Sequence, residues 1–139
     1  MTIVYLETSV VLNWLFGESG AGHVVDRMNE ADVLLSSELT RIETVRAVRR
    51  ASRDGLITER ERDELIRLFE EQMAAWFRMS IDESVIDRAA QEFPVEPVRS
   101  LDAIHLATAL EFKALYPDLK VLTSDKRIAE NCRKLGMET

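Results

Sequence analysis

The chain has 139 residues, 46% of them hydrophobic and 31% charged, with a formal net charge of -7; that length gives one domain, residues 1–139, able to bury roughly two-thirds of its unfolded surface, and the composition excludes a disordered chain. The acidic balance argues against nucleic-acid binding driven by overall charge, but leaves open a polyanionic substrate handled through metal ions and a local basic stripe. Cys132 is the only cysteine, so no intrachain disulfide can form, and a reducing cytoplasm is the expected setting.

The opening, M-T-I-V-Y-L-E-T-S-V-V-L-N-W-L-F, lacks a basic start and is interrupted by Glu7 and Asn13, so it reads as neither a signal peptide nor a membrane span. Within it, residues 2–6 form a β-branched and aromatic run that predicts a buried strand. Thr8 and Ser9 offer an N-cap for a short helix stopped at Gly17. A second short helix follows over 19–30, and V-L-L-S at 33–36 reads as a strand. The stretch from Glu38 to Asp54 is helical, with Gly55 at its C-terminal stop. Thr58 opens the next helix, and Glu61 three residues on completes a capping box.

R-M-S-I at 78–81 is a weak strand signal, followed by a helix over 83–93. Pro94 and Pro97 bracket a loop. Ser100 is placed to cap the helix L-D-A-I-H-L-A-T-A-L, K-V-L-T at 120–123 is a clear strand, and Ser124 is placed to cap a last helix ending at Gly136. Strands alternating with helices predict an α/β three-layer sandwich, a small parallel sheet of about four or five strands flanked by helices.

In an open parallel sheet, ligands gather beyond the carboxyl ends of the strands. Glu7 follows the first strand and Asp125 follows the last, so both are expected at one crevice. A simpler reading makes them helix caps and dipole partners. Asp102 stands in the first turn of a helix apolar almost all round, and a carboxylate buried there needs a cation or several donors. Glu43 shares a helix with Arg46, Arg49, Arg50 and Arg53. An i,i+3 pair with Arg46 on a solvated face would account for it. Alternatively it is a fourth site acid, with the arginines turned to substrate phosphates. His105 lacks zinc-ligand spacing and reads as a packed histidine holding a hydrogen bond.

I-V-Y-L-E-T-S-V near the start, I-E at residue 43, R-S-L-D-A-I-H-L-A-T-A-L and V-L-T-S-D-K-R together resemble the PIN domain, in particular the VapC-type toxins of toxin–antitoxin pairs. The likeness runs over nearly the whole chain in order. It implies a PIN-like fold and an endoribonuclease dependent on Mg²⁺ or Mn²⁺, with Glu7, Glu43, Asp102 and Asp125 as catalytic, metal-holding acids and the Thr8 and Thr123 hydroxyls assisting. Arg46 and Arg50 are then candidates for substrate phosphate contacts. Where the family has aspartate this chain has Glu7, whose extra methylene moves the oxygens by about 1.5 Å.

Receiver domains and haloacid-dehalogenase-type phosphatases share the size and sheet type. The first needs a pair of acids after strand one and the second D-x-D-x-T; Y-L-E-T-S supplies neither. A noncatalytic RNA- or protein-binding module, with Glu7 marking a weakened site, is the remaining alternative. The aromatic clusters Trp14-Leu15-Phe16 and Trp76-Phe77 are expected to lie partly at the surface. The family resemblance implies a homodimer and a small antitoxin whose segment lies along the first helices and competes with metal.

Overall fold

The computed structural model describes residues 1–139. Four short strands, β1 (Ile3–Leu6), β2 (Val33–Ser37), β3 (Phe77–Met79) and β4 (Lys120–Leu122), pair in the order β3-β2-β1-β4. Every pairing is parallel. The helices α1 (Thr8–Leu15), α2 (Ala21–Glu30), α3 (Glu38–Arg53) and α4 (Glu59–Met73) link β1 to β2 and β2 to β3. Then α5 (Glu83–Ala89) and α6 (Ser100–Leu115) carry the chain to β4, and α7 (Lys126–Lys134) follows it.

Side-chain alternation along the buried strand β1 divides the core in two. Ile3 and Tyr5 join Leu35 and Val121 under α6 and α7, where Leu106, Phe112, Ile128 and Cys132 complete the packing. Val4 and Leu6 point the other way, onto Val11, Val48, Phe69 and Met73 of α1, α3 and α4. The helix after β1 therefore covers one face and the helix after β4 the other. These two neighbouring strands form the topological switch point, where the crevice of an open α/β sheet opens.

Several helix ends differ from expectation, two of them because a stronger acceptor is present. Glu7, not Thr8 or Ser9, caps α1, and its carboxylate accepts from the Ser9 N–H. Asp125, not Ser124, caps α7 by accepting from the Ile128 N–H. Arg99 occupies the cap position of α6, which has no side-chain cap at all, and Ser100 is the first helical residue. The helix expected over 83–93 stops at Ala89. Pro94 disfavours helical backbone at Phe93, whose N–H is taken instead by the Glu96 carboxylate at 2.9 Å. The capping box of Thr58 and Glu61 forms as expected.

The aromatic clusters divide between core and surface. Trp76 is buried edge-on to Phe69, and Trp14 and Phe16 pack partly buried against the α1–α4 core. Phe77 alone is largely exposed. No helix is long and apolar enough to cross a membrane.

Candidate active site

Two hydrogen-bonded arrays meet at the E-T-S tripeptide that follows β1. In the first, Glu7 is 5% exposed. Its Oε1 accepts from the hydroxyls of Ser9 at 2.5 Å and Thr123 at 2.6 Å, and its Oε2 accepts from the Ser9 N–H at 2.9 Å. Thr123 also receives the Asp125 N–H at 3.0 Å, and Ser9 Oγ receives the Ser124 N–H at 2.8 Å. The end of β1 is thus tied to the segment after β4 through side chains as well as through the sheet.

The second array centres on His105, which is 1% exposed. Tyr5 Oη lies 2.8 Å from its Nδ1, and Glu43 Oε1 lies 2.7 Å from its Nε2. Burial, reinforced by the nearby charges of Glu7 and Glu43, holds the Tyr5 phenol well above its usual pKa, so Tyr5 keeps its proton. The Glu43 carboxylate can only accept, so Nε2 carries the proton directed at it, and the Nδ1 of a ring bearing that single proton accepts from the Tyr5 hydroxyl. The Thr8 hydroxyl donates to the same Glu43 oxygen at 2.7 Å and lies 3.1 Å from the Thr40 hydroxyl. Burial works against the Glu43 charge, but the hydrogen bonds from His105 and Thr8 outweigh it and hold the carboxyl below its ordinary value.

The expected ion pair of Glu43 with Arg46 does not form, because the carboxylate is turned inward to His105 and Thr8. Arg46, Arg49 and Arg50 are exposed along the same helix. Asp102 lies one turn before His105 on α6, its side chain 18% exposed, with Arg99 Nε 3.2 Å from its Oδ2. His105 is packed and hydrogen-bonded, as its apolar helix leads one to expect, and its partners are Tyr5, Thr8 and a site acid. Tyr5 and Thr40 are the residues that sequence reasoning misses. A usable signal is strand alternation, which puts Tyr5 on the same side of β1 as Glu7.

All four acids offer oxygen ligands, the donor type that a hard divalent cation takes. Glu43 Oε2, Asp102 Oδ1 and Asp125 Oδ2 accept no hydrogen bond from the protein, whereas both oxygens of Glu7 are engaged. In this conformation no three acidic, histidine or cysteine side chains stand close enough to hold one ion. The donor set therefore fits a divalent cation chemically, with Glu7 offering one open acceptor position, on Oε2.

A family model described as PIN domain matches residues 4–134. The chain belongs to the PIN-domain family. It is 31% identical over 137 residues to Ribonuclease VapC35 of Mycobacterium tuberculosis (strain ATCC 25618 / H37Rv), covering 97% of this chain and 93% of that one. To Ribonuclease VapC47 of the CDC 1551 / Oshkosh strain it is 33% identical over 133 residues, covering 96% and 82%. Among solved structures, a toxin–antitoxin complex from Klebsiella pneumoniae superposes with a TM-score of 0.67 at 15% identity, covering 98% of this chain and 96% of that one. At that identity the likeness shows a shared fold and nothing more.

Proposed function

We propose that this PIN-domain protein is a divalent-metal-dependent endoribonuclease and the toxin of a toxin–antitoxin pair, with Glu7, Glu43, Asp102 and Asp125 as its metal-holding acids. The observation that carries the reading is the position of Glu7 and Asp125 at the switch point between β1 and β4, with Glu43 tied to the same tripeptide through Thr8. The relatives named as ribonucleases match over nearly the full chain, which supports RNA as the substrate.

A bound Mg²⁺ or Mn²⁺ would supply Lewis-acid polarisation of water and phosphate. The protein's own part is positional and electrostatic. His105 and Thr8 keep Glu43 ionised and hold one of its oxygens, leaving the other free. Asp102 and Asp125 each likewise hold one oxygen on a local donor and present the second. The exposed Arg46 and Arg50 lie on the helix that carries Glu43 and suit phosphates of a bound strand. Attack by water makes the RNA 2′-hydroxyl dispensable, so 5′-phosphate products are expected. A small antitoxin partner, a homodimer and a cytoplasmic setting belong to the same proposal.

The test is RNA cleavage with added Mg²⁺ or Mn²⁺ by the wild type and by Asp102→Asn. Cleavage should require the ion and be lost in the variant while its melting temperature stays near that of the wild type. Wild-type cleavage that persists in excess chelator would overturn the reading.

A further inference from the structure

A cavity of about 450 Å³ shares the Thr123–Ser124 wall with the candidate active site, yet none of the four site acids lines it. Its size falls in the range of small-ligand sites. His23 and Arg27 face it from α2, Arg133 from α7 and Asn13 from α1, over an apolar floor, and no aspartate or glutamate contributes to the lining. In a chain of net charge -7, a cavity whose lining side chains include two guanidinium groups and no carboxylate stands out.

Arg27 and Arg133 sit in the last turns of their helices, and complementing the helix dipole accounts for their charge. It does not account for their facing one cavity from opposite elements. Neither forms an ion pair, and the only side-chain bond of Arg133 is to the Thr139 hydroxyl at 3.5 Å. Asn13 gives its amide N–H to Ser19 O at 2.9 Å and leaves its Oδ1, closed off from solvent, without a donor. The wall thus combines guanidinium donors held by no ion pair, suited to a phosphate, with an apolar surface.

We infer that this cavity binds a nucleotide unit of single-stranded RNA flanking the cleaved bond, with its phosphate between Arg27 and Arg133. The inference rests on the ribonuclease reading for its source of phosphate. Continuity along Thr123 and Ser124, which hydrogen-bond to Glu7 and Ser9 respectively, makes the cavity the next station for a strand leaving the carboxylates.

The test measures binding of a labelled single-stranded RNA oligonucleotide across a salt series, in an Asp102→Asn background to suppress cleavage. Adding Arg27→Ala and Arg133→Ala should weaken binding about tenfold or more and flatten the salt dependence by about 0.7 in slope for each phosphate no longer neutralised. Arg27→Lys with Arg133→Lys should retain most of the slope, which separates missing charge from a disturbed fold. An unchanged slope in the alanine pair overturns the proposal. So does adenosine 5′-monophosphate binding the cavity as tightly as the oligonucleotide, which would make it a mononucleotide site. Cleavage by the wild type with no slope change removes this subsite and leaves the ribonuclease reading intact. A slope change without any wild-type cleavage does the reverse.

Discussion

Tyr5→Phe removes one oxygen from a side chain that is fully buried and leaves its packing volume almost unchanged. The oxygen removed is the donor 2.8 Å from His105 Nδ1. His105 is itself buried, so no solvent replaces the missing partner. An acceptor stranded in this way costs about 1–3 kcal/mol. The imidazole cannot escape by moving its proton to Nδ1, because Nε2 would then present a lone pair to the Glu43 carboxylate 2.7 Å away. Unfolding entropy for a chain of this length is about 0.3 kcal/mol per kelvin, so the midpoint should fall by about 3–10 °C. Calorimetry at neutral pH reads this directly. Because Tyr5 and Glu43 act on the same ring, Tyr5→Phe combined with Glu43→Gln should cost less than the two single changes added together. A midpoint within 1 °C or so of the wild type, or strict additivity, would refute the view that one buried array spans Tyr5, His105 and Glu43.

The carboxyl of Glu43 is held below its ordinary value of 4.5, so its charge contributes stability above that pH, and the contribution is lost as pH falls through the depressed value. Glu43→Gln should therefore melt below the wild type at neutral pH, and the two melting curves should converge in acid; a constant gap would show that the charge is not involved. Glu7→Asp should preserve or raise metal-dependent cleavage, since the shorter acid is the one the family pattern favours, and a loss of metal binding measured by titration would show a site rebuilt around glutamate. Arg46→Ala with Arg50→Ala should weaken RNA binding and reduce the salt slope by about 0.7 for each phosphate the arginines neutralise, whereas an unchanged slope would leave these arginines as a solvated face.

Periodicity and punctuation make most of the fold legible. The run I-V-Y-L, the capping box at Thr58 and Glu61 and the stop at Gly55 are local signals, and each is realised. Cap identity at α1 and α7 is only partly legible, because hydroxyls and the carboxylates one position away are both candidates in the sequence, and the carboxylates win. For the same reason Thr8 is free to turn toward Glu43, 35 residues away. The partners of Glu43 stay hidden because nothing local distinguishes an acid that faces solvent beside Arg46 from one drawn inward to His105, 62 residues on. Burial of His105 follows from the apolar helix around it; the identity of its partner requires the sheet order.

The tripeptide Glu7-Thr8-Ser9 is where these separate facts become one arrangement. Three consecutive side chains leave the end of β1 in different directions: Glu7 to Thr123 beyond β4, Thr8 to Glu43 on α3, and Ser9 to both Glu7 and the Ser124 N–H. The elements bearing Glu43 and Asp125 are thereby fixed relative to one another at the switch point, while each keeps a carboxylate oxygen unbound. Glu7 bears the cost of that arrangement, since both its oxygens are occupied in holding the crevice together. Three of its roughly four acceptor positions are taken, so a cation joining Glu7 finds one open position, on Oε2, unless one of those bonds is released. The metal affinity of this chain should therefore depend on the strength of the Glu7 bonds as much as on the number of acids around the site.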